Sequence, residues 1–268
     1  VARAPRERGQ PPVLKKYGQH FLSDERILAA IVDALGPTEA DTVVEVGAGR
    51  GSLTDILVER SGRVVAVEID RALAKQLGER YRNKPNVQVV QGDVLETDLH
   101  VIGGPDFLLI GNVPYYITTP IVFKALEPPI PRRSVFLVQR EVAERMAAKA
   151  DAEAYGALSV NVAAVANAEQ VMTVPAGAFH PPPKVESAVI RLTPRPTPLV
   201  NAESLAAFRA FVQAAFGLRR KQMVRVLRTV KALSPERASA LLDQAGINPT
   251  VRPEVLSPEQ FATLFALL

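Results

Sequence analysis

The chain of 268 residues contains no cysteine and only three histidines. Without cysteine there are no disulfides, no thiol nucleophile and no thiolate metal site, and His20, His100 and His180 lie too far apart to suggest ligand spacing. No bound metal is expected. There is also no apolar run approaching the roughly 18 residues of a membrane span. The amino-terminal stretch is basic and proline-rich rather than a charged stub followed by an apolar segment. These features predict a cytoplasmic protein with no signal or membrane segment. What the chain does have is 47% hydrophobic residues, enough to bury a full core with room for one large domain and a smaller one.

The net charge of +4 is small, so its distribution carries more information than its sum. Arg3, Arg6, Arg8, Lys15 and Lys16 stand against Glu7 alone in the first 20 residues. Between 195 and 231, Arg195, Arg209, Arg219, Arg220, Lys221, Arg225, Arg228 and Lys231 stand against Glu203 alone. The rest of the chain is acidic overall. Two basic segments flanking an acidic body suit a polyanion held from two sides.

From residue 24 to about 165, apolar runs of strand length alternate with helical patterns, the signature of repeated βα units around a mostly parallel sheet. A first helix, with Ser23 as N-cap and Gly36-Pro37 as its stop, precedes strands at Thr42–Val46, Val64–Glu68, Val87–Gln91, Phe107–Gly111 and Ser134–Gln139. Helices are expected near 52–60, 71–81, 119–127, 140–149 and 156–165. Two further strands near 168–174 and 185–192 have only Pro175–Lys184 between them and read as an antiparallel pair closing one sheet edge. The stiff segment Thr193–Pro198 marks a boundary. Beyond it all is helical, with helices near 203–216, 219–230, 235–245 and 257–267, the last opened by the capping box Ser257-Pro258-Glu259-Gln260.

Val43–Val46 runs into Gly47-Ala48-Gly49-Arg50-Gly51-Ser52, a buried strand entering a glycine turn. Glycine there permits a sharp turn and a ligand approach closer than a Cβ allows. Glu68 ends the next strand, where a carboxylate accepts from both hydroxyls of a ribose. Asp93 follows the strand after that, in place to meet the amino edge of an adenine. Three successive strand ends around one crevice describe an adenosine site in a doubly wound sheet. A dinucleotide is the rival occupant, but its pyrophosphate wants G-x-G-x-x-G, and Ser52 stands where the third glycine would be. Glu45, a carboxylate within an apolar strand, is expected to brace the loop from beneath.

Asn112-Val113-Pro114-Tyr115 follows the fourth strand. An adenine amine is a poor nucleophile because its lone pair is delocalised into the ring. A catalyst gains by accepting its N–H hydrogens and drawing the nitrogen toward tetrahedral geometry. The Asn112 amide oxygen and the Pro114 carbonyl are candidate acceptors, and Tyr115 offers a face to an unstacked base.

With these motifs in this order, the chain resembles the ribosomal RNA adenine N6,N6-dimethyltransferase family over nearly its whole length. Lys15–Leu22 (KKYGQHFL) is similar to the family's opening motif, and Phe179–Val189 to its closing hairpin. The resemblance implies an α/β fold, a seven-stranded Rossmann-like class I methyltransferase sheet with a small C-terminal all-helical domain. The corresponding spans are 1–22 for the basic arm and cofactor-covering motif, 23–193 for catalysis, and 199–268 for RNA binding. It implies S-adenosylmethionine as cofactor, held by Gln19, His20, Leu22, Gly47, Gly49, Gly51, Glu68, Asp93 and Asn112. His20 and Leu22 would act through their backbone, and His20 is assigned no proton transfer. Catalysis falls to Asn112, Pro114 and Tyr115, and RNA binding to Arg219, Arg220, Lys221, Arg225 and Arg228. The partner implied is ribosomal RNA within the small subunit or its precursor, met by a monomer away from any membrane.

Gly156–Val160 and Phe216–Gln222 resemble the branch that dimethylates adjacent adenosines in the 3′-terminal hairpin of small-subunit (16S) RNA. The alternatives are the large-subunit (23S) macrolide-resistance branch and an assembly factor whose binding outweighs its methylation. A DNA adenine methyltransferase shares the amine chemistry, but Val113 stands where its tetrad has proline.

Overall fold

The computed structural model describes residues 20–268; Gln19 and the basic arm before it lie outside the described residues. The main sheet has seven strands in the order β4-β3-β2-β5-β6-β9-β7. These are β2 (Thr42–Val46), β3 (Arg63–Glu68), β4 (Val87–Gln91), β5 (Phe107–Asn112), β6 (Arg133–Gln139), β7 (Ala166–Val174) and β9 (Ser187–Pro194). The first five run parallel, while β9 is antiparallel to both β6 and β7. The expected closing pair is therefore present. A separate two-stranded sheet, unforeseen in the sequence, pairs β1 (Phe21–Leu22) with β8 (Phe179–His180).

Alternation along the strands divides the core in two. Val43, Val64, Ala66, Leu108 and Ile110 face α1 (Glu25–Leu35), α2 (Ser52–Arg60) and α3 (Arg71–Arg80). Val44, Val46, Val65, Val67 and Leu109 face α4 (Leu99–Gly103), α5 (Thr118–Ala125), α6 (Arg140–Ala147) and α7 (Ala157–Ala163). The C-terminal helices α8 (Leu205–Gly217), α9 (Met223–Val230), α10 (Pro235–Gln244) and α11 (Pro258–Ala266) bury Phe208, Val226, Leu242 and Phe261 in that second cluster. One apolar core thus runs from the sheet into the helical unit.

The starts of α1 and α9 differ from expectation, and α4 is a helix that the sequence pattern did not place. Asp24, not Ser23, caps α1, its carboxylate accepting from the amides of Arg26 (2.9 Å) and Ile27 (3.3 Å). The helix expected from 219 begins only at Met223, because the chain reverses after α8 and the Met223 and Val224 amides donate to the carbonyls of Val251 and Pro249. The capping box on α11 forms as expected, with Gln260 N–H donating to Ser257 Oγ (3.2 Å) and Ser257 N–H to Gln260 Oε1 (2.9 Å). No helix of the described residues is long and apolar enough to cross a membrane.

Candidate active site

The sheet order reverses between β2 and β5, and the crevice past the C-terminal ends of strands at such a point is where ligands bind in open α/β sheets. A cavity of about 800 Å³, counted out to its mouth, lies there. Its walls bring together residues from distant parts of the chain: His20 and Leu22, Gly47 and Gly49, Glu68, and Asn112, Pro114 and Tyr115. Gly47 and Gly49 have φ of +71° and +59°, a left-handed backbone that side-chain-bearing residues rarely adopt. Gly51 does not line the cavity. Its φ is also left-handed, at +86°, and a Cβ there would come within 2.8 Å of the Tyr81 hydroxyl at the end of α3, so this glycine serves the turn and its packing.

Glu68 is 4% exposed at the end of β3. The Gly49 amide donates to its Oε2 (2.7 Å) and the Asp70 amide to its Oε1 (2.8 Å). A carboxylate offers about four acceptor sites, so each oxygen keeps capacity for a hydroxyl. Burial raises the Glu68 pKa, and the two amides oppose that rise. Glu45 is 1% exposed and also lines the cavity. It accepts from Thr54 Oγ1 (2.5 Å) in the first turn of α2. It therefore braces the helix that follows the loop. Burial pushes its carboxyl up to about 8.

Asn112 ends β5, and its Nδ2 donates to the His20 carbonyl (3.0 Å). Only the NH2 end of the amide can satisfy a carbonyl, so the partner assigns the orientation and the other end, Oδ1, is an acceptor. The Pro114 carbonyl is less available than expected. It accepts from the Ile117 amide (3.1 Å) and lies 3.3 Å from Thr118 Oγ1, closing the turn into α5. Tyr115 is fixed at both ends. Its hydroxyl shares a 2.5 Å hydrogen bond with buried Ser187 of β9, and its ring stacks on His20 at 5.8 Å and 23°. His20 Nδ1 in turn lies 2.7 Å from the Pro181 carbonyl and must carry the proton of that bond.

The model of the ribosomal RNA adenine dimethylase family matches residues 13–268. The chain belongs to that family. It is 41% identical to proteins of Shouchella clausii and Bacillus mycoides, each called ribosomal RNA small subunit methyltransferase A. The two alignments cover 93% of this chain and 88% and 89% of those proteins. Among solved structures it resembles the 23S rRNA methyltransferase ErmE (TM-score 0.71, 31% identity, 92% of this chain and 99% of that one). A dimethyladenosine transferase from Plasmodium falciparum is also similar (TM-score 0.77, 25% identity, 92% and 96%).

As a member of this family, the chain is a methyltransferase that uses S-adenosylmethionine. The cavity fits that group: the glycine turn admits close backbone approach, and Glu68 keeps acceptor capacity for a ribose. Asp93 stands outside the lining, its Oδ1 accepting from the Leu95 amide (2.9 Å). It follows Gly92, whose N–H donates to the Glu68 carbonyl (3.0 Å). Sequence reasoning missed Ile69, an apolar wall 40% exposed, and Ser187, the anchor of Tyr115. Tyr116, the next residue after the tetrad, is 60% exposed and was not singled out either. An aromatic directly after the tetrad was the available signal for Tyr116; nothing local marked Ser187.

The five basic residues assigned to RNA are all exposed, but they do not share one helix. Arg219, Arg220 and Lys221 occupy the turn after α8, and only Arg225 and Arg228 lie on α9. Arg219 pairs with Glu254 (2.5 Å). A groove runs from Thr119, just past the tetrad, to Arg219, with Arg145 of α6 on its wall beside Glu141 and Glu144. Arg145 was not anticipated from sequence.

Proposed function

We propose that this protein dimethylates N6 of two adjacent adenosines in the 3′-terminal hairpin of small-subunit (16S) ribosomal RNA, acting as a cytoplasmic monomer on the small subunit or its precursor during ribosome biogenesis. The observation that carries the chemistry is the orientation of Asn112. Its NH2 is spent on the His20 carbonyl, so Oδ1 is the end offered to an incoming amine. The Pro114 carbonyl, the notional second acceptor, already serves the Ile117 amide, so Asn112 Oδ1 carries the larger share of the contact with the amine. Tyr115 receives the extruded base on the ring face opposite His20.

S-adenosylmethionine supplies an electrophilic methyl group on a sulfonium. Glu68 takes its ribose, Asp93 the adenine amine, and residues 19–22 with the glycine loop its methionine end. Arg219, Arg220, Lys221, Arg225 and Arg228 grip phosphates. Greater identity to the small-subunit relatives than to the 23S enzyme favours the small subunit.

Labelled cofactor is offered together with unmethylated 30S or 50S subunits, and the modified base is mapped. Label at N6 of neighbouring adenosines near the 3′ end of 16S RNA is the expected result; label on 50S RNA alone overturns it. Asn112→Ala should lose turnover by a much larger factor than it loses cofactor affinity, the latter falling only through the bond to the His20 carbonyl.

A further inference from the structure

Two buried carboxyl groups, Glu45 and Glu68, line the cavity, and only Glu68 has an evident ligand to hold. Glu45 sits one strand away on β2, on the face it shares with Val43. Its cross-strand neighbours are Ala66 and Ile110, which bring no charge. Leu28 of α1 meets the cavity as hydrocarbon. From α2 it receives the Thr54 hydroxyl at 2.5 Å and feels Asp55, which is itself bound by Arg80 and by the Tyr81 hydroxyl. From β3 it feels Glu68. Arg50, in the glycine loop, lies over the Phe21 ring at 4.3 Å on the same cavity wall. Glu45 is thus a buried carboxyl with anionic neighbours in the lining of a site that receives a cation.

We propose that Glu45 distinguishes fresh from spent cofactor: it gives up its proton to solvent when S-adenosylmethionine, with its sulfonium, occupies the cavity, and keeps it when the zwitterionic, net-neutral S-adenosylhomocysteine does. The two ligands differ by one methyl group and one positive charge, and shape discriminates weakly against a missing methyl. A second ionised carboxylate beside Glu68 is costly in an empty or neutral site and is stabilised by a sulfonium. With the empty-site carboxyl at about 8, affinity for the cation rises with pH below that value, approaching about tenfold per unit. Affinity for the neutral product stays level.

The inference rests on the cavity holding S-adenosylmethionine, and calorimetry separates its failure from the failure of that reading. Titrations of each ligand at pH 7, in buffers of low and high ionisation enthalpy, count the protons released. The expected result is most of one proton more for S-adenosylmethionine than for S-adenosylhomocysteine. The ratio of their Kd values should climb in favour of S-adenosylmethionine between about pH 6 and pH 8. Glu45→Gln should bind both with equal proton release and a flat ratio. Thr54→Val, which removes a bond favouring the ionised form, should move the window to higher pH. Equal proton counts in the unaltered protein, or a difference that survives Glu45→Gln, overturns the proposal, whereas no binding of either ligand overturns the cofactor assignment.

Discussion

Removing the Tyr115 hydroxyl separates what the ring does from what positions the ring. The ring has one face on His20 at 5.8 Å, and its hydroxyl is tied to Ser187, which is fully buried; the proposed role puts the base on the other face. Stacking of a base on an aromatic is worth about 1–3 kcal/mol, so Tyr115→Ala should slow methylation about 5- to 150-fold. Tyr115→Phe keeps the ring and loses a bond whose net worth is about 1 kcal/mol, or about fivefold. If the hydroxyl acts only by holding the ring in place, Ser187→Ala should cost about the same as Tyr115→Phe. The double variant should then be no slower than either single one. Single-turnover rates on unmethylated 30S subunits measure all four. Fully additive losses would show that the hydroxyl acts elsewhere, and Tyr115→Ala at full rate would remove the ring from the mechanism.

Glu68→Ala should weaken S-adenosylmethionine binding by about 1–3 kcal/mol; unchanged affinity in calorimetry refutes the ribose assignment. Replacing Arg220, Lys221 and Arg225 together should weaken 30S binding and flatten its dependence on log salt by about two units, with cofactor affinity untouched, and an unaltered slope returns those residues to an ordinary solvated surface. The buried Glu45 carboxyl keeps its proton to about pH 8 when folded and loses it near 4.5 when unfolded. Unfolding therefore releases a proton across that window, and stability falls as pH rises by up to about 1.4 kcal/mol per unit. Glu45→Gln should remove that contribution, which thermal unfolding of the ligand-free proteins at pH 5 and pH 8 measures; identical pH dependence would mean that Glu45 is ionised throughout.

The sheet was legible because its strands are short apolar runs whose ends carry the chemistry: Val43–Val46 into glycines, Val64–Val67 into Glu68, Leu108–Gly111 into Asn112. Local pattern sufficed, since a strand buried on both faces has little else to be. The pairing of Phe21–Leu22 with Phe179–His180 was not legible, because a two-residue strand has no period. Its partners are more than 150 positions apart. The Tyr115–Ser187 and Asn112–His20 contacts were hidden for the same reason. Helix starts misled where two adjacent residues both cap well, as at Ser23-Asp24. They misled again where a tertiary contact set the first turn, as at Met223, whose amide answers to Val251 rather than to its own helix. The basic segment was found by charge alone, and charge does not say whether arginines stand on a helix or in a turn.

The apolar core that passes without a break from β5 and β6 to α8, α9 and α11 gives the molecule the character of a caliper. The turn bearing Arg220 and Lys221 and the ledge bearing Tyr115 are its two jaws, and separating them would expose Phe208, Val226 and Phe261 to water. The span between the basic turn and Tyr115 is therefore fixed by the packing of the protein itself. Under the proposed assignment of that turn to RNA phosphates, a bound RNA has to meet the span by its own length and bend, since the protein does not adjust to it.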